Sequence, residues 1–236
     1  MNIIITGASR GIGYELAKIF AADSKNTIIA IARNQQKLNS LKKDCLKANP
    51  KSNVILLPID LQSSSIKEVI TKEIKKNFKS IDILINNAGS IVNKPFKEIK
   101  LSDLTNVYQT NVFAVFQIIQ TVLPFMNTKN RAHIVNISSM GGVQGSVKFS
   151  GLTAYSSSKA ALICLTECLA EEYKNKNISF NCLALGAAQT EMLQEAFPGY
   201  RAPITAKQMA EFIANFSTSA YNFINGKVIQ VSLSTP

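Results

Sequence analysis

The 236-residue chain has 26 Lys and Arg against 15 Asp and Glu, a formal net charge of +11, and 46% of its residues are hydrophobic. This length suits one domain with a substantial buried core, and no repeat, low-complexity tract or linker divides it, so we predict a single domain over residues 1–236. The lysines are scattered over predicted helix faces, which favours a solvated surface and argues against a nucleic-acid partner.

Membrane, secretory and metal-binding classes find no support in the sequence. The most apolar stretch, residues 111–126, is interrupted by Gln117 and Gln120 and is too short to span a membrane, so it predicts a buried or subunit-facing helix. The chain opens directly in a strand-like run, which leaves no room for a signal peptide and predicts a cytoplasmic protein. The four cysteines are expected to be free thiols. For Cys164 and Cys168, core packing is favoured over metal binding, and no metal site is predicted.

Strand-like runs alternate with helical stretches along the whole chain. The predicted strands cover residues 2–6, 27–32, 53–59, 81–86, 133–138, 178–183 and 227–232. This alternation is typical of parallel β-α-β units and predicts the α/β class.

A glycine-rich segment, TGASRGIG over residues 6–13, follows the first strand and precedes a helical pattern. Gly7, Gly11 and Gly13 can take backbone angles closed to other residues and let the main chain approach a ligand. The first N–H groups of the helix would then face a phosphate. The spacing G-x-x-x-G-x-G differs from the common G-x-G-x-x-G but keeps the strand–loop–helix context. The segment therefore predicts a dinucleotide site, with a turn that binds nothing as the alternative.

The end of the second predicted strand indicates which dinucleotide is bound. An NAD-binding fold places an acidic residue there, whereas this chain has Ala32 followed by Arg33, with Arg10 inside the glycine loop. Two guanidiniums can hold a 2′-phosphate, and no carboxylate is present to bind a ribose 2′-hydroxyl. We predict NADP(H) in preference to NAD(H). The alternative is that Arg33 is a solvated residue at the end of a strand.

A tyrosine and a lysine four residues apart occur twice, as Tyr14/Lys18 and as Tyr155/Lys159 in the segment YSSSK. The first pair lies in the helix after the glycine loop, where a surface or packing role is favoured. The second follows the strand-like run 133–137, which ends in two serines at the expected carboxyl edge of the sheet. The spacing alone proves nothing, and this context singles out the second pair.

The chemistry of the second pair explains its residue types. A cation within about 4–6 Å favours the phenolate form of a tyrosine, and residues i and i+4 of a helix lie at about this distance. Ser139 would donate a hydrogen bond to a carbonyl or alkoxide oxygen. His133, the sole histidine, opens a strand, and no other histidine exists for a Ser-His-acid triad.

These segments, together with Asp60-Leu61, NNAG over residues 86–89 and Asn111, resemble the short-chain dehydrogenase/reductase family in order and spacing. The resemblance implies a Rossmann-like, doubly wound fold with a seven-stranded parallel sheet, and NAD(P)-linked oxidoreduction of a carbonyl or alcohol. It implies four catalytic residues, namely Asn111, Ser139, Tyr155 and Lys159. The implied cofactor contacts are Gly7, Ser9, Arg10, Gly11, Ile12, Gly13, Arg33, Asp60, Leu61, Asn87, Ala88, Gly89, Tyr155, Lys159, Gly186, Ala188 and Thr190.

The resemblance also assigns roles to these residues. Tyr155 would be the general acid/base, with its pKa lowered by Lys159, which would also bind the nicotinamide ribose. Ser139 would orient the substrate, and Asn111 would hold a water in a proton relay behind Lys159. Asp60 would contact the adenine. Residues 87–89 would lie on the adenosine side of the cofactor. Thr190 would contact the nicotinamide amide or the phosphates.

Three departures from the family pattern bear on the identity of the substrate and on the C-terminal contacts, and not on the class of reaction. Leu185-Gly186 stands where the family usually has Pro-Gly, which is expected to loosen the following loop. The interval from Ser139 to Tyr155 is long and glycine-rich, and Ser232-Leu233-Ser234 replaces an acidic-glycine ending.

The segment after Thr190 predicts a short flap over the substrate, about residues 191–204. Its apolar members are Met192, Leu193, Phe197 and Tyr200. They favour a small or medium, partly apolar carbonyl compound or the corresponding alcohol, although the flap could instead pack a subunit interface. A homodimer or homotetramer is expected through the helices around residues 101–127 and 153–174. An acyl carrier protein is a further candidate partner, to which Lys129, Arg131 and Arg201 could contribute.

Two functions from different classes remain open. The first is an NADPH-dependent carbonyl reductase, with a 3-oxoacyl-carrier reductase as one form of it. The second is a catalytically idle NADP-binding redox sensor. A sensor needs the glycine loop but not the phenol, so the complete set of four catalytic residues favours the reductase.

Overall fold

The computed structural model describes residues 1–233 as strands and helices that alternate along the chain. The strands are β1 (Asn2–Thr6), β2 (Thr27–Ala32), β3 (Asn53–Pro58), β4 (Ile83–Asn86), β5 (Ala132–Ser139), β6 (Ile178–Leu185), β7 (Ala188–Gln189), β8 (Ile204–Thr205) and β9 (Val228–Val231). The α-helices are α1 (Gly11–Ala21), α2 (Gln35–Ala48), α3 (Ile66–Asn77), α4 (Leu101–Tyr108), α5 (Ala114–Val122), α6 (Thr153–Glu172), α7 (Glu191–Ala196) and α8 (Ala206–Ser219).

Seven of these strands form one parallel sheet in the order β3-β2-β1-β4-β5-β6-β9. This confirms the predicted Rossmann-like, doubly wound sheet of seven strands. The chain reverses its direction of winding between β1 and β4, which places a crevice at the carboxyl ends of these strands. The short strands β7 and β8 pair separately at the two ends of the flap and were not predicted from the sequence.

Successive side chains of a strand point to opposite faces of the sheet. Because the side chains on both faces are apolar here, helices cover both faces. Ile3 and Ile5 pack with α1, α2 and α8, whereas Ile4 packs with α3, α5 and α6. All three isoleucines are fully buried, and burial of each such side chain stabilises the fold by about 1.5–3 kcal/mol. The continuous run of isoleucines in β1 therefore reflects a strand covered on both faces.

The apolar stretch over residues 111–126 contains most of a π-helical turn, Gln109–Phe113, and all of α5. Ile118 and Val122 are buried against the sheet, whereas Phe113 and Phe116 are exposed. The stretch is thus a buried helix with an apolar outer face. Within residues 1–233, no helix is both long enough and apolar enough to cross a membrane.

The prediction that Cys164 and Cys168 pack in the core is wrong, because both are exposed on α6. The buried stripe of α6 includes Leu162, Thr166 and Ala170, and each cysteine lies two residues from members of this stripe and therefore faces away from the sheet. All four cysteines are free thiols, as predicted.

His133 is fully buried at the start of β5, at the edge of the sheet opposite the crevice. Its Nδ1 lies 2.9 Å from the carbonyl oxygen of Ser217, so Nδ1 carries the proton and donates. Nε2 then accepts from Nδ2 of Asn181 at 3.0 Å. Burial lowers the pKa of His133 to about 4. The histidine is therefore a neutral structural residue.

We predict that His133 makes the fold less stable as the pH falls from about 6.5 to about 4. The unfolded chain takes up a proton near pH 6.5, whereas the folded chain does so only near pH 4, so acid favours the unfolded state between these values. Urea unfolding between pH 7 and 5 should show a loss of stability that approaches about 1.4 kcal/mol per pH unit. His133→Gln should remove this dependence, and a wild-type stability that is constant over this range would contradict the assignment.

Candidate active site

The glycine loop between β1 and α1 is bonded to the segment that follows β4. The backbone N–H groups of Asn87 and Ala88 donate to Oγ1 of Thr6 at 3.1 and 3.0 Å. Nδ2 of Asn87 donates to the carbonyl oxygen of Thr6 at 3.0 Å. The NNAG segment thus holds the start of the glycine loop at the point where the sheet reverses its winding.

Two glycines of the loop are required by the geometry. Gly7 has φ +71°, a conformation that favours glycine. A Cβ on Gly13 would lie 2.3 Å from the carbonyl oxygen of Gly7, so α1 passes directly against the loop. No side chain caps α1 at Arg10, and the first N–H groups of the helix remain available to an anionic ligand. The loop therefore fits the pyrophosphate of a dinucleotide.

Three predicted catalytic side chains meet at the carboxyl end of β5. Tyr155 and Lys159 lie one turn apart on α6, and Nζ of Lys159 lies 5.8 Å from the centre of the Tyr155 ring. Ser139 ends β5 and forms a hydrogen bond with Tyr155. The sequence prediction that these three residues come together agrees with the structure.

Lys159 is 3% exposed, and its ammonium donates to the carbonyl oxygen of Ile137 at 2.7 Å. Burial lowers the pKa of Lys159 to about 8. No carboxylate forms an ion pair with this ammonium in the described part of the chain. Because an ammonium has three N–H donors, Lys159 retains capacity to bind a hydroxyl oxygen of a ribose.

The pKa of Tyr155 is raised, whereas the resemblance implies that Lys159 lowers it. Burial of the phenol is the larger cause and raises the pKa, and the hydrogen bond with Ser139 lowers it in part. The ammonium of Lys159 donates to the Ile137 carbonyl oxygen, and its charge is not among the causes that shift the pKa of Tyr155. The structure therefore favours the protonated phenol, the form that donates a proton.

Asn111 lies in the π-helical turn between α4 and α5 and is fully buried. Its Oδ1 accepts from the backbone N–H of Ser90 at 2.7 Å, and its Nδ2 donates to the Ser90 carbonyl oxygen and to Oγ of Ser158, both at 2.9 Å. Single π-helical turns inside α-helices are frequent at functional sites. The side chain thus joins the segment after β4 to α6, next to Lys159.

The pair Tyr14/Lys18 has the same spacing as Tyr155/Lys159 but different surroundings. Nζ of Lys18 lies 5.7 Å from the centre of the Tyr14 ring, almost the same distance as in the catalytic pair. However, Tyr14 donates to Oδ2 of Asp44 at 2.6 Å and Lys18 pairs with Glu15 at 3.1 Å, so the phenol and the ammonium both have partners away from the crevice-side cluster of Ser139, Tyr155 and Lys159. The surface role predicted for this pair agrees with these contacts.

The two arginines that were predicted to bind a 2′-phosphate are both near carboxylates. Arg10 forms a two-bond ion pair with Glu195 of α7. Nη1 of Arg33 lies 3.8 Å from Oδ2 of Asp60, and both side chains are exposed. Arg10 and Lys37 line the same cleft, which has a volume of about 330 Å³ beside the glycine loop. These cations suit an anionic ligand that can replace the carboxylates.

The remaining predicted cofactor residues lie in the glycine loop, at the start of α1 and in the segments after β3, β4 and β6. Ser9 and Ile12 belong to the glycine loop and the start of α1, and Leu61 is buried just after β3. A Cβ on Gly89 would lie 3.6 Å from both Nζ of Lys159 and Oδ1 of Asn111. Ala188 lies in β7, and Thr190 caps α7 by accepting from the N–H of Leu193 at 3.2 Å.

The loop at Leu185-Gly186 is tied down despite the missing proline. Leu185 is buried in β6, and the N–H of Gly186 donates to the carbonyl oxygen of Val231 at 2.9 Å. A Cβ on Gly186 would lie 2.4 Å from Oγ of Ser232, so the chain after β9 packs directly on this glycine. Of the altered C-terminal ending, Ser234 lies outside the described residues.

Sequence reasoning missed several groups that position the site. Ser158 connects Asn111 to α6 and also donates to the carbonyl oxygen of Tyr155 at 2.7 Å. Its place directly before Lys159, on the buried face of α6, was the available signal. Two further contacts depend on tertiary packing and leave no pattern in the sequence. They join Lys159 to the Ile137 carbonyl and Arg10 to Glu195.

Comparisons with known proteins agree with this geometry. A family model described as short chain dehydrogenase matches residues 1–201. The 3-oxoacyl-(acyl-carrier-protein) reductase FabG of Thermotoga maritima is 30% identical over 238 residues, which cover 97% of this chain and 94% of that protein. The chain therefore belongs to the short-chain dehydrogenase/reductase family and is an oxidoreductase that acts on CH–OH and C=O groups.

Solved structures show the same fold over nearly the whole chain. The RhlG/NADP active-site complex of Pseudomonas aeruginosa has a TM-score of 0.85 and 25% identity, and the match covers 98% of this chain and 94% of that one. A short chain dehydrogenase from Shigella flexneri in complex with NADP has a TM-score of 0.86 and 27% identity, with coverage of 97% and 95%.

We predict that Gly13→Ala disrupts the glycine loop, whereas Gly89→Ala is tolerated by the fold. The new Cβ at position 13 meets backbone at 2.3 Å, and the one at position 89 makes ordinary contacts at 3.6 Å. Overpacking of this kind costs about 1–3 kcal/mol. Urea unfolding should show this loss for Gly13→Ala and a change below about 1 kcal/mol for Gly89→Ala. Equal stability of the two variants would contradict the close packing of α1 at Gly13 against the Gly7 carbonyl.

Proposed function

We propose that the protein is an NADPH-dependent reductase that converts a ketone or aldehyde to an alcohol, or oxidises a secondary alcohol in reverse, with Tyr155 as general acid/base. The observation that carries the proposal is the cluster of Ser139, Tyr155 and Lys159 beside the glycine loop. The raised pKa of Tyr155 supports the reductive direction, because the phenol must hold the proton that it donates. We also propose that residues 1–236 form one catalytic domain.

The nicotinamide cofactor, when bound, supplies the hydride to the carbonyl carbon. Ser139 donates a hydrogen bond to the carbonyl oxygen and stabilises negative charge as it develops there. Tyr155 transfers its phenolic proton to the same oxygen, which gives the alcohol. Lys159, held by the Ile137 carbonyl, lies behind the phenol and stabilises the phenolate that remains. Asn111 positions α6 through Ser158. We propose that it also holds the water through which Lys159 is reprotonated.

The choice of NADPH over NADH rests on the cations around the crevice. Three cations lie in this region. Arg10 belongs to the glycine loop, Arg33 precedes α2, and Lys37 lies in the first turn of α2. A 2′-phosphate is a stronger ligand for a guanidinium than a ribose hydroxyl is. Similar solved structures contain NADP, which supports the same choice.

A partly apolar carbonyl substrate fits the loops around Tyr155. Val147 and Phe149 of the long interval after β5 are exposed, as is Tyr200 of the flap. Asn93 joins these two loops, since its Nδ2 donates to the carbonyl oxygen of Ala196 at 2.8 Å and its side chain packs against Gly151. Apolar side chains at the mouth favour an acyl chain, and several relatives are 3-oxoacyl-carrier reductases. An acyl carrier protein is the corresponding macromolecular partner.

We further propose a homodimer or homotetramer in the cytoplasm. The support is the apolar outer surface of the π-helical turn and α5, formed by Phe113 and Phe116, together with exposed Leu101 on α4. Exposed aromatic and aliphatic groups in one region are typical of subunit interfaces.

We predict that Tyr155→Phe abolishes reduction while NADPH still binds. The substitution removes only the phenolic oxygen, so at least a 100-fold loss in kcat is expected from the missing general acid. Activity should be measured with NADPH and a panel of aliphatic ketones and 3-oxoacyl thioesters, and NADPH binding by fluorescence. Tyr14→Phe is the matched control, because it removes the same atom from the same spacing, and it should keep wild-type activity.

The same panel separates the reductase from the idle sensor. Tight NADPH binding with no turnover of any ketone, aldehyde or alcohol would establish the sensor and overturn our proposal. A kcat/KM that is higher with NADH than with NADPH would overturn the cofactor choice alone.

A further inference from the structure

The flap helix α7 is joined to the glycine loop by an ion pair between Glu195 and Arg10. Nη1 of Arg10 bonds with Oε1 of Glu195, and Nη2 donates to Oε2 at 3.2 Å. Two parallel bonds of this kind occupy one edge of the guanidinium with a planar anion. The Arg10 side chain is 35% exposed and that of Glu195 is 60% exposed, so solvent and other anions reach both groups.

Further contacts place the flap directly on the glycine loop and the catalytic residues. A Cβ on Gly11 would lie 3.3 Å from Cγ2 of Thr190, and one on Gly89 would lie 3.9 Å from Cε of Met192. At the other end of α7, Asn93 bonds the carbonyl oxygen of Ala196. Among these contacts, the ion pair is the one that links the flap to a charged group of the loop.

The charges around the pair keep Glu195 ionised. The Arg10 guanidinium holds the pKa of Glu195 below its usual range, and the charge of Lys37 acts in the same direction. Glu191, at the start of α7, also faces Arg10 but forms no ion pair with it. Glu195 therefore presents a carboxylate to the two cations that a phosphate would use.

We propose that Glu195 is a specificity-determining residue that competes with the cofactor's 2′-phosphate for Arg10. Because both anions need the same edge of the guanidinium, binding of the phosphate releases Glu195 and removes the charged link between the flap and the glycine loop. The inference rests on the proposed preference for NADPH. Glu195 thus couples the kind of cofactor bound to the position of the flap, since a cofactor without the 2′-phosphate leaves the ion pair in place.

The effect should be modest, because the pair is exposed and an exposed ion pair contributes little. Removing the charge of Glu195 should tighten the binding of a 2′-phosphate about two- to five-fold and leave the binding of an unphosphorylated ribose unchanged.

The test compares the binding of 2′,5′-ADP and of 5′-AMP by calorimetry in the full-length chain. Glu195→Gln should lower the Kd of 2′,5′-ADP two- to five-fold without changing that of 5′-AMP. Glu191→Gln, which removes the same charge from the same helix, should change the Kd of 2′,5′-ADP less. In the Arg10→Gln background, Glu195→Gln should have a clearly smaller effect, because the shared ion-pair partner is gone and only the weaker influence of Lys37 remains.

Amide hydrogen exchange of residues 191–197 provides a second measurement that needs no activity. Without nucleotide, the amides of residues 191–197 should exchange faster in Glu195→Gln and in Arg10→Gln than in the wild type. Saturating 2′,5′-ADP should speed exchange of α7 in the wild type, and 5′-AMP should not.

The outcomes are distinct for the two proposals. If the wild type binds 2′,5′-ADP no better than 5′-AMP, the proposed NADPH preference fails. If it prefers 2′,5′-ADP but Glu195→Gln leaves both the Kd and the exchange of α7 unchanged, the competition by Glu195 is overturned.

Discussion

The arrangement of the site depends on a buried ammonium whose partner, within the part of the chain that the structure describes, is a carbonyl and not a carboxylate. Lys159 bonds the Ile137 carbonyl at the carboxyl end of β5, and burial lowers its pKa to about 8. A carboxylate partner would oppose this shift and hold the charge in place. The carbonyl instead leaves two N–H donors and a charge that is costly to bury. Such an ammonium is ready to bind a polar ligand and to stabilise an anion next to it.

Helix α6 keeps this lysine and Tyr155 in place through a chain of buried polar contacts behind the site. Oγ of Ser138 donates to the carbonyl oxygen of Lys159 at 2.8 Å. Farther along the helix, Nδ2 of Asn136 donates to Oγ1 of Thr166 at 2.9 Å, and Nδ2 of Asn86 donates to Oδ1 of Asn136 at 2.8 Å. Buried hydrogen bonds of this kind have directional geometry, so they set the rotation of α6 against β4 and β5. The phenol therefore belongs to a rigid element, whereas the flap is held by exposed contacts.

The sequence predicted the parts of the molecule that follow from local pattern. The alternation of apolar runs with helical stretches predicted seven strands and the α/β class, and the resemblance to the family implied that these strands form one parallel sheet. The glycine loop and the grouping of Ser139, Tyr155 and Lys159 followed from the rule that the carboxyl ends of parallel strands share one edge. These predictions needed only the order of strands and helices.

The rest could not be predicted because it depends on which side chains meet in three dimensions. The pairing of Arg10 with Glu195 joins residues 185 positions apart. The raised pKa of Tyr155 reflects burial, which no spacing encodes. Cys164 and Cys168 were misplaced because spacing alone does not show which face of α6 is covered.

Titration of Lys159 itself shows whether this lysine is a buried ammonium that has no carboxylate partner among residues 1–233. Lysine side chains labelled with ¹³C at the ε carbon can be followed by NMR against pH, and the resonance missing from Lys159→Arg identifies Lys159. We expect a pKa of about 8 for this lysine, well below the usual value of about 10.4. A Lys159 resonance that titrates above pH 10 would contradict it.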